Sequence, residues 1–216
     1  MQTRRVELAN LAGLLLFCCA LVFARMRYSG TIHYYFLIWN LFLAIIPLLI
    51  ALFYKAMSQR WSGKLWLFLC LSLWLLFFPN APYIATDLRH LGYHPYMPRW
   101  FDPMMVFSAA ITGLMAGFLS LREFEHEIKQ RSSALSSQLF VIAIWCLSGL
   151  GIYLGRVLRW NSWDLFRKPG QLVIDAIKPF TNPQDYTNAL GIIGCYSVLF
   201  LLLYRLWNSH QGSENG

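Results

Sequence analysis

Long apolar stretches separated by charged residues are the feature that most constrains the fold of this chain. A helix needs about 20 apolar residues to cross roughly 30 Å of hydrocarbon. Such stretches occur at 8–24, 34–53, 103–121, 139–154 and 189–207, and a shorter one at 65–78. Helices are stable in hydrocarbon because their backbone N–H and C=O groups hydrogen-bond within the helix. We predict an all-α, polytopic transmembrane helical bundle of about six helices. It forms a single transmembrane domain over 1–216, with a disordered tail at 208–216.

The composition agrees with a surface that faces lipid. Apolar residues make up 57% of the chain and charged residues 13%, whereas soluble domains have roughly 45–50% and about 25%. The net charge of +8 comes from bases at the ends of apolar stretches, which favours anionic headgroups over nucleic acid. The five cysteines lie inside apolar stretches without a Cys-x-x-Cys pair, so we expect no disulfide, metal or cofactor. No clear cleavage site follows the first stretch, and we expect a retained helix rather than a signal peptide.

The third stretch is the most informative, because it is short and ends at prolines. Fourteen helical residues span only about 21 Å, and Pro79 and Pro82 interrupt the apolar sequence that follows. Each proline removes a backbone donor and clashes with the preceding turn. We predict a broken helix or re-entrant element at membrane depth after the third helix. It either is buried in protein or lines a wet cavity, or it is a proline turn in a thinned interface.

Six crossings would sort the acidic residues by side. All five Glu then lie with the termini and all five Asp on the other side. The 18 Lys and Arg divide nine and nine. If Arg156 and Arg159 belong to a site rather than a loop, nine bases lie on the side of the termini and seven on the other side. That excess favours cytoplasmic termini.

Asp87 and His90 are the candidate catalytic residues. If Thr86 caps a short helix, the two side chains, three residues apart, share a face. That spacing suits an acid/base pair or two metal ligands. The structural alternative places Asp87 in a first turn, stabilised by the helix dipole, with His90 at the interface. Zinc needs at least three protein ligands, so a metal is disfavoured.

Arg156 and Arg159 are the second candidate group. If the fifth helix continues past Gly155, both lie on one face. They are either snorkelling bases at a helix end or guanidinium forks facing an aspartate, an anionic headgroup or a phosphate. Asn161 would form a turn before Asp164.

Three further positions carry structural predictions. Asp102, directly before Pro103, is expected to cap the fourth helix rather than to catalyse. Asn40, inside the second stretch, is expected to hydrogen-bond a neighbouring helix. Residues 172–178 form a short amphipathic piece within the longest loop, 155–188.

Four strings together resemble a known family. They are Trp-Asn-Leu-Phe-Leu-Ala at 39–44 with Pro47; Phe-Pro-Asn-Ala-Pro-Tyr at 78–83 with Thr-Asp-Leu at 86–88; Arg-Trp-Phe-Asp at 99–102; and Gly155-Arg156 with Arg-Trp-Asn-Ser-Trp-Asp at 159–164. The set resembles a bacterial family of predicted integral membrane proteins, domain of unknown function thirteen-sixty-one, over nearly the whole chain. The resemblance implies a multi-pass protein of the bacterial cytoplasmic membrane and implies no reaction.

Three functional hypotheses follow. The first is a membrane-embedded binding or transport protein that holds a small polar or anionic group on one side of the bilayer. Its site residues are Asn80, Asp87, Arg156, Arg159, Asn161 and Asp164. The second is an enzyme acting on a lipid or lipid-linked substrate, with Asp87 and His90 as acid and base. The third is a helper subunit whose polar cluster only joins helices. The expected partners are membrane lipids and an anionic small molecule or headgroup, without nucleic acid.

Overall fold

The computed structural model describes residues 2–58, 60–61, 63–90, 98–160, 164–181 and 183–213. Regular structure within them is entirely helical, which confirms the predicted all-α class. The elements are α1 (Gln2–Ser29), α2 (Tyr35–Met57), α3 (Lys64–Phe77), α4 (Asn80–Tyr83), a 3-10 helix (Ile84–His90), α5 (Phe101–Arg131), α6 (Ala134–Arg156), α7 (Asp164–Arg167), α8 (Pro169–Thr181) and α9 (Pro183–Ser213).

Six helical segments in the described residues are long and apolar enough to cross a membrane. They are Arg4–Ser29, Tyr35–Met57, Lys64–Asp87, Phe101–Arg131, Ala134–Arg156 and Ala189–Ser209. The third runs through α3, α4 and the start of the 3-10 helix. The predicted number of membrane-spanning helices is therefore confirmed, and the predicted short third stretch is the first part of a longer span.

Several helices extend beyond their apolar stretches. α5 continues to Arg131, past the end of the apolar stretch at 121, and so includes most of the charged residues that follow that stretch. Its last turns carry an ion pair between Arg131 and Glu127 at 2.5 Å, four residues apart. α6 begins after Ser133, whose Oγ accepts from the backbone N–H of Ser136 at 3.1 Å. α9 is helical to Ser213, where a disordered tail was predicted from 208. Hydropathy marks the apolar part of a helix, and the helix itself extends past that part.

Contacts divide the chain into two compact units, unit 1 (Met1–Ser120) and unit 2 (Leu121–Gly216). Unit 1 has an apolar core where α1, α2, α4, the 3-10 helix and the first half of α5 meet. Its buried members include Val22, Leu37, Leu41, Ala81, Ile84, Met105 and Ala109.

The break after α3 is a tight turn whose backbone groups are satisfied locally. Pro82 has no N–H, so the carbonyl of Phe78 accepts from Ala81 instead, at 3.0 Å. Because Ala81 donates to Phe78, the carbonyl of Phe77 loses its usual backbone donor. It accepts instead from the side-chain Nδ2 of Asn80 at 2.9 Å. The chain then resumes as α4. The predicted break is present, and the helical path is interrupted only at Phe78 and Pro79.

Two glycines of α5 receive this broken segment. A Cβ on Gly113 would lie 2.8 Å from the Ala81 carbonyl oxygen and 2.9 Å from Ile84, and a Cβ on Gly117 would lie 3.0 Å from Ala81. Small residues four apart allow such close helix packing in membranes. The side chains of Phe78, Ala81 and Ile84 are fully buried. Of the predicted settings for the break, burial in protein is the one observed at these residues.

In unit 2, α6 packs closely along α9. A Cβ on Gly149 would lie 2.5 Å from the carbonyl oxygen of Ile193 and would also meet the Ser197 side chain. Buried Trp145 lies beside Phe200, with ring centroids 5.7 Å apart. α8 contacts α9 and α6, and it contains the predicted amphipathic piece at 172–178.

Candidate functional site

The carboxylate of Asp87 lies buried at the end of the third span. Only 1% of the residue is exposed, and its Oδ2 accepts from Nδ2 of Asn40 in α2 at 2.7 Å. The predicted interhelical hydrogen bond of Asn40 is therefore confirmed. Thr86 does not cap a new helix, because the 3-10 helix already begins at Ile84 and the Thr86 hydroxyl donates back to the carbonyl of Tyr83 at 2.6 Å.

The predicted pairing of Asp87 with His90 stays a prediction. Both belong to the 3-10 helix, but the side chain of His90 lies outside the part of the chain that the structure describes. Among the described residues, His, Cys, Asp and Glu nowhere gather in threes that could hold a metal ion.

Arg25 and Asp102 form a second buried polar group in unit 1. Nε of Arg25 donates to one carboxylate oxygen of Asp102 at 2.6 Å, and an Nη atom donates to the other at 3.2 Å. The side chains are only 3% and 7% exposed. The hydroxyl of Tyr34 also donates to Asp102 at 3.2 Å, and the guanidinium lies 5.3 Å from the ring centroid of Tyr34. Such bidentate, charge-assisted geometry is strong and directional.

This arrangement corrects the predicted role of Asp102. α5 begins at Phe101, so Asp102 lies inside the first turn and its carboxylate faces Arg25 rather than capping the helix. Sequence reasoning missed Arg25, because the first apolar stretch ends at Ala24. α1 continues to Ser29, which places Arg25 one turn inside the helix. A charge at that depth requires a partner, and the helix length is the signal that would have revealed it.

The pKa of the Tyr34 hydroxyl is raised, and burial is the main cause. Desolvation, followed by the charge and hydrogen bond of Asp102, raises the pKa of Tyr34 to about 12, with Arg25 acting in the opposite direction. We call the following five residues the polar layer: Arg25, Tyr34, Asn40, Asp87 and Asp102. It contains two buried carboxylates, one held by a guanidinium fork and one oriented by a neutral amide.

In unit 2, the segment after α6 differs from the predicted continuation of the fifth helix. α6 ends at Arg156, and Arg159 has a φ of 61°, in the left-handed region that commonly terminates helices. The N–H of Trp160 donates to the carbonyl of Leu154 at 3.0 Å. Arg156 and Arg159 therefore do not share a helical face. Arg159 is exposed, and Asp164 begins α7.

Trp160 and Asp175 form a contact that the sequence did not reveal. Nε1 of Trp160 donates to one oxygen of Asp175 at 3.1 Å, and Nε2 of Gln171 donates to the other at 3.0 Å. The indole N–H of Trp160 thereby fixes α8 to the segment that follows α6. No spacing rule connects these two residues, which are fifteen apart in the chain.

A second polar group of unit 2 lies near the C-terminal end of α9. The hydroxyl of Tyr204 donates to the carboxylate of Glu125, and the guanidinium of Arg122 lies 4.9 Å from the Trp207 ring centroid. Six crossings would assign these residues to the side of the membrane that carries the termini.

The structure thus supports the predicted site residues in parts. Asp87 is joined to Asn40, and the Asn80 amide serves the backbone of the break. Asn161 lies outside the described residues. Arg156, Arg159 and Asp164 belong to unit 2. The convergence of all six residues in one recess stays a prediction.

The six spans and the buried polar layer define a multi-span integral membrane protein. A family model described as "Protein of unknown function (DUF1361)" matches residues 39–203, and the chain belongs to this family. The resemblance drawn from the four sequence strings is thereby confirmed. Neither a curated protein nor a solved structure matches the chain.

Proposed function

We propose that the protein is a membrane-embedded binding or transport protein whose polar site is built around Asp87. One observation carries the proposal: a carboxylate that is 1% exposed, at the end of a membrane span, is held by an amide from the neighbouring span at 2.7 Å. Ionisable groups at membrane level are expensive, and in membrane proteins they commonly mark ligand, ion or proton pathways.

The two carboxylates of the polar layer support different roles. Both oxygens of Asp102 are engaged by Arg25 and one also by Tyr34, which is the geometry of a structural connection between helices. At Asp87, a neutral amide from the neighbouring span, that of Asn40, orients the carboxylate. A purely structural cluster therefore accounts for Asp102, and we place the binding role at Asp87.

The ligand class follows from the remaining predicted site residues. The remaining residues of the proposed site are those predicted from the sequence, the charged residues Arg156, Arg159 and Asp164 and the amides Asn80 and Asn161. Guanidinium groups favour carboxylate and phosphate oxygens. The proposed ligand is a small polar or anionic group, and the proposed location is the bacterial cytoplasmic membrane with both termini in the cytoplasm.

Native mass spectrometry of the purified protein tests this proposal. The wild type is compared with Asp87→Asn, which keeps an acceptor for Asn40, and with Arg159→Gly, which suits the left-handed backbone at this position. Arg131→Gln, in an ion pair at the far end of α5, is the matched control. We expect a retained small molecule or lipid on the wild type and the control, and its loss from both site variants.

Equal retention by the wild type and both site variants would overturn the proposal in favour of a purely structural polar layer. Thermal unfolding of each variant in detergent shows whether loss of the ligand reflects the site or the fold.

A further inference from the structure

α8 exposes an apolar face that no described part of unit 2 covers. Val173, Ile174, Ile177 and Phe180 are each about half exposed, between 49% and 60%. The spacing of one, four and seven residues places them along one side of the helix. The neighbouring Phe166 of α7 is 76% exposed.

A second side of α8 packs against the protein. Leu172 and Ala176 are half-buried, and the helix contacts α9 and α6. Asp175 faces Trp160 and is hydrogen-bonded to it, so the acidic side chain of the helix points toward the protein. Gln171 and Lys178 are exposed. α8 therefore has one side on the protein, one apolar side and one polar side.

The length and position of α8 place it at a membrane surface. Thirteen residues make a helix of about 20 Å, too short to cross roughly 30 Å of hydrocarbon. α8 lies in the connection between the spans Ala134–Arg156 and Ala189–Ser209, so both of its ends lead to membrane-level segments. The bond from Trp160 fixes it to the end of α6.

The charge around α8 is basic. The exposed basic side chains of α7, of α8 and of the residue between them are Arg167, Lys168 and Lys178. The acids of the same stretch, Asp164 and Asp175, are both half-buried. Exposed basic groups beside a helix with an apolar face are the features of an interfacial helix on anionic lipid.

We propose that α8 lies in the membrane interface, with Val173, Ile174, Ile177 and Phe180 in the acyl boundary, and that the basic residues of α7 and α8 bind anionic lipid headgroups. The partner is the lipid surface of the bilayer that the six spans cross. The proposed lipid site uses neither Asp87 nor Arg159, so its test is independent of the proposed function.

Spin labels on the full-length protein test the position of α8. The five cysteines are first replaced by serine, whose hydroxyl takes the place of the Cys18 thiol next to Thr112. Single labels are then placed by Val173→Cys and Ile177→Cys on the apolar side, and by Gln171→Cys on the polar side as the matched control. The protein is measured in nanodiscs of phosphatidylcholine with and without phosphatidylglycerol.

We expect the labels at 173 and 177 to be accessible to oxygen and shielded from a water-soluble nickel reagent, and the label at 171 to show the opposite. Access of nickel to all three labels would overturn the interfacial position. Shielding of 173 and 177 from both reagents would show that a protein partner or a second copy covers the face.

The headgroup preference has its own test. Lys178→Gln combined with Arg167→Gln is compared with Arg131→Gln by native mass spectrometry after extraction from bilayers containing phosphatidylglycerol. We expect the double variant to lose retained phosphatidylglycerol and to keep phosphatidylcholine, whereas the control keeps both. Equal loss of both lipids, or no loss, would contradict selective binding of anionic headgroups by these side chains.

Discussion

Asn40 and Asp87, separated by 47 residues in the chain, are joined by a 2.7 Å hydrogen bond between the second span and the end of the third. The bond brings a neutral donor to a carboxylate that water scarcely reaches. It also holds the end of the broken third span against α2, so the geometry around Asp87 depends on both elements.

Asn40→Leu removes the donor and leaves the buried Asp87 oxygen one partner short. An unsatisfied buried polar group destabilises by about 1–3 kcal/mol, more when it is charged. We expect a decrease of that size in the free energy of unfolding, measured by denaturant titration in detergent micelles. Phe42→Leu, at an exposed position of the same helix, is the control and should have little effect. Equal effects of the two substitutions would show that the hydrogen bond contributes nothing.

The Arg25–Asp102 pair is expected to behave as one unit. Removing one partner of a buried ion pair typically destabilises by about 3–5 kcal/mol, because the other charge is left buried. Arg25→Met and Asp102→Leu should therefore each be severe, and the double variant should be less destabilised than the sum of the two. Arg131→Gln, in an accessible i,i+4 pair, should change stability by less than about 0.5 kcal/mol. Additive single effects in the cycle would contradict the pairing.

Gly149 is expected to be essential for the packing of α6 on α9. A Cβ there would lie 2.5 Å from the Ile193 carbonyl oxygen, which the α9 backbone cannot relieve by rotating a side chain. Gly149→Ala should lower the thermal unfolding temperature. Gly191→Ala is the matched control, since a Cβ there meets nothing within 4 Å and alanine favours a helix by about 1 kcal/mol over glycine. The same result for both variants would refute the close contact.

The hydroxyl of Tyr34 gives an alkaline dependence of stability. Its pKa is raised to about 12 in the fold from about 10 in an unfolded chain. The folded state thus keeps a proton that the unfolded state loses, so this contribution is complete below pH 10 and declines as the pH rises toward 12. Tyr34→Phe should unfold with a shallower loss of stability between pH 9.5 and 11.5, measured by chemical denaturation. Parallel curves for the two proteins would contradict the shift.

The sequence predicted those features that follow from local pattern. The lengths of the apolar stretches predicted the six spans, and the pattern of residues 172–178 predicted the amphipathic part of α8. Asn40 was predicted to bond across helices because an amide in hydrocarbon requires a partner.

The pairings themselves could not be predicted, because they depend on which helices become neighbours. Arg25 and Asp102 are 77 residues apart, and no periodicity connects them. Asp102 before Pro103 looked like a helix cap, and the observed helix starts at Phe101, two residues before Pro103. Arg156 and Arg159 looked like one face of a helix until the left-handed backbone at Arg159 ended it.

The ion pair between the first and fourth spans also constrains the order of biogenesis. A ribosome makes Arg25 long before Asp102, so the first span enters the bilayer with a cation that has no anion yet within reach. Until the fourth span emerges, water or lipid phosphates must solvate that guanidinium near the bilayer surface. The association of α1 with α5 is therefore a late step of assembly, and a chain truncated before Asp102 would carry an unneutralised first span for the quality-control machinery to recognise.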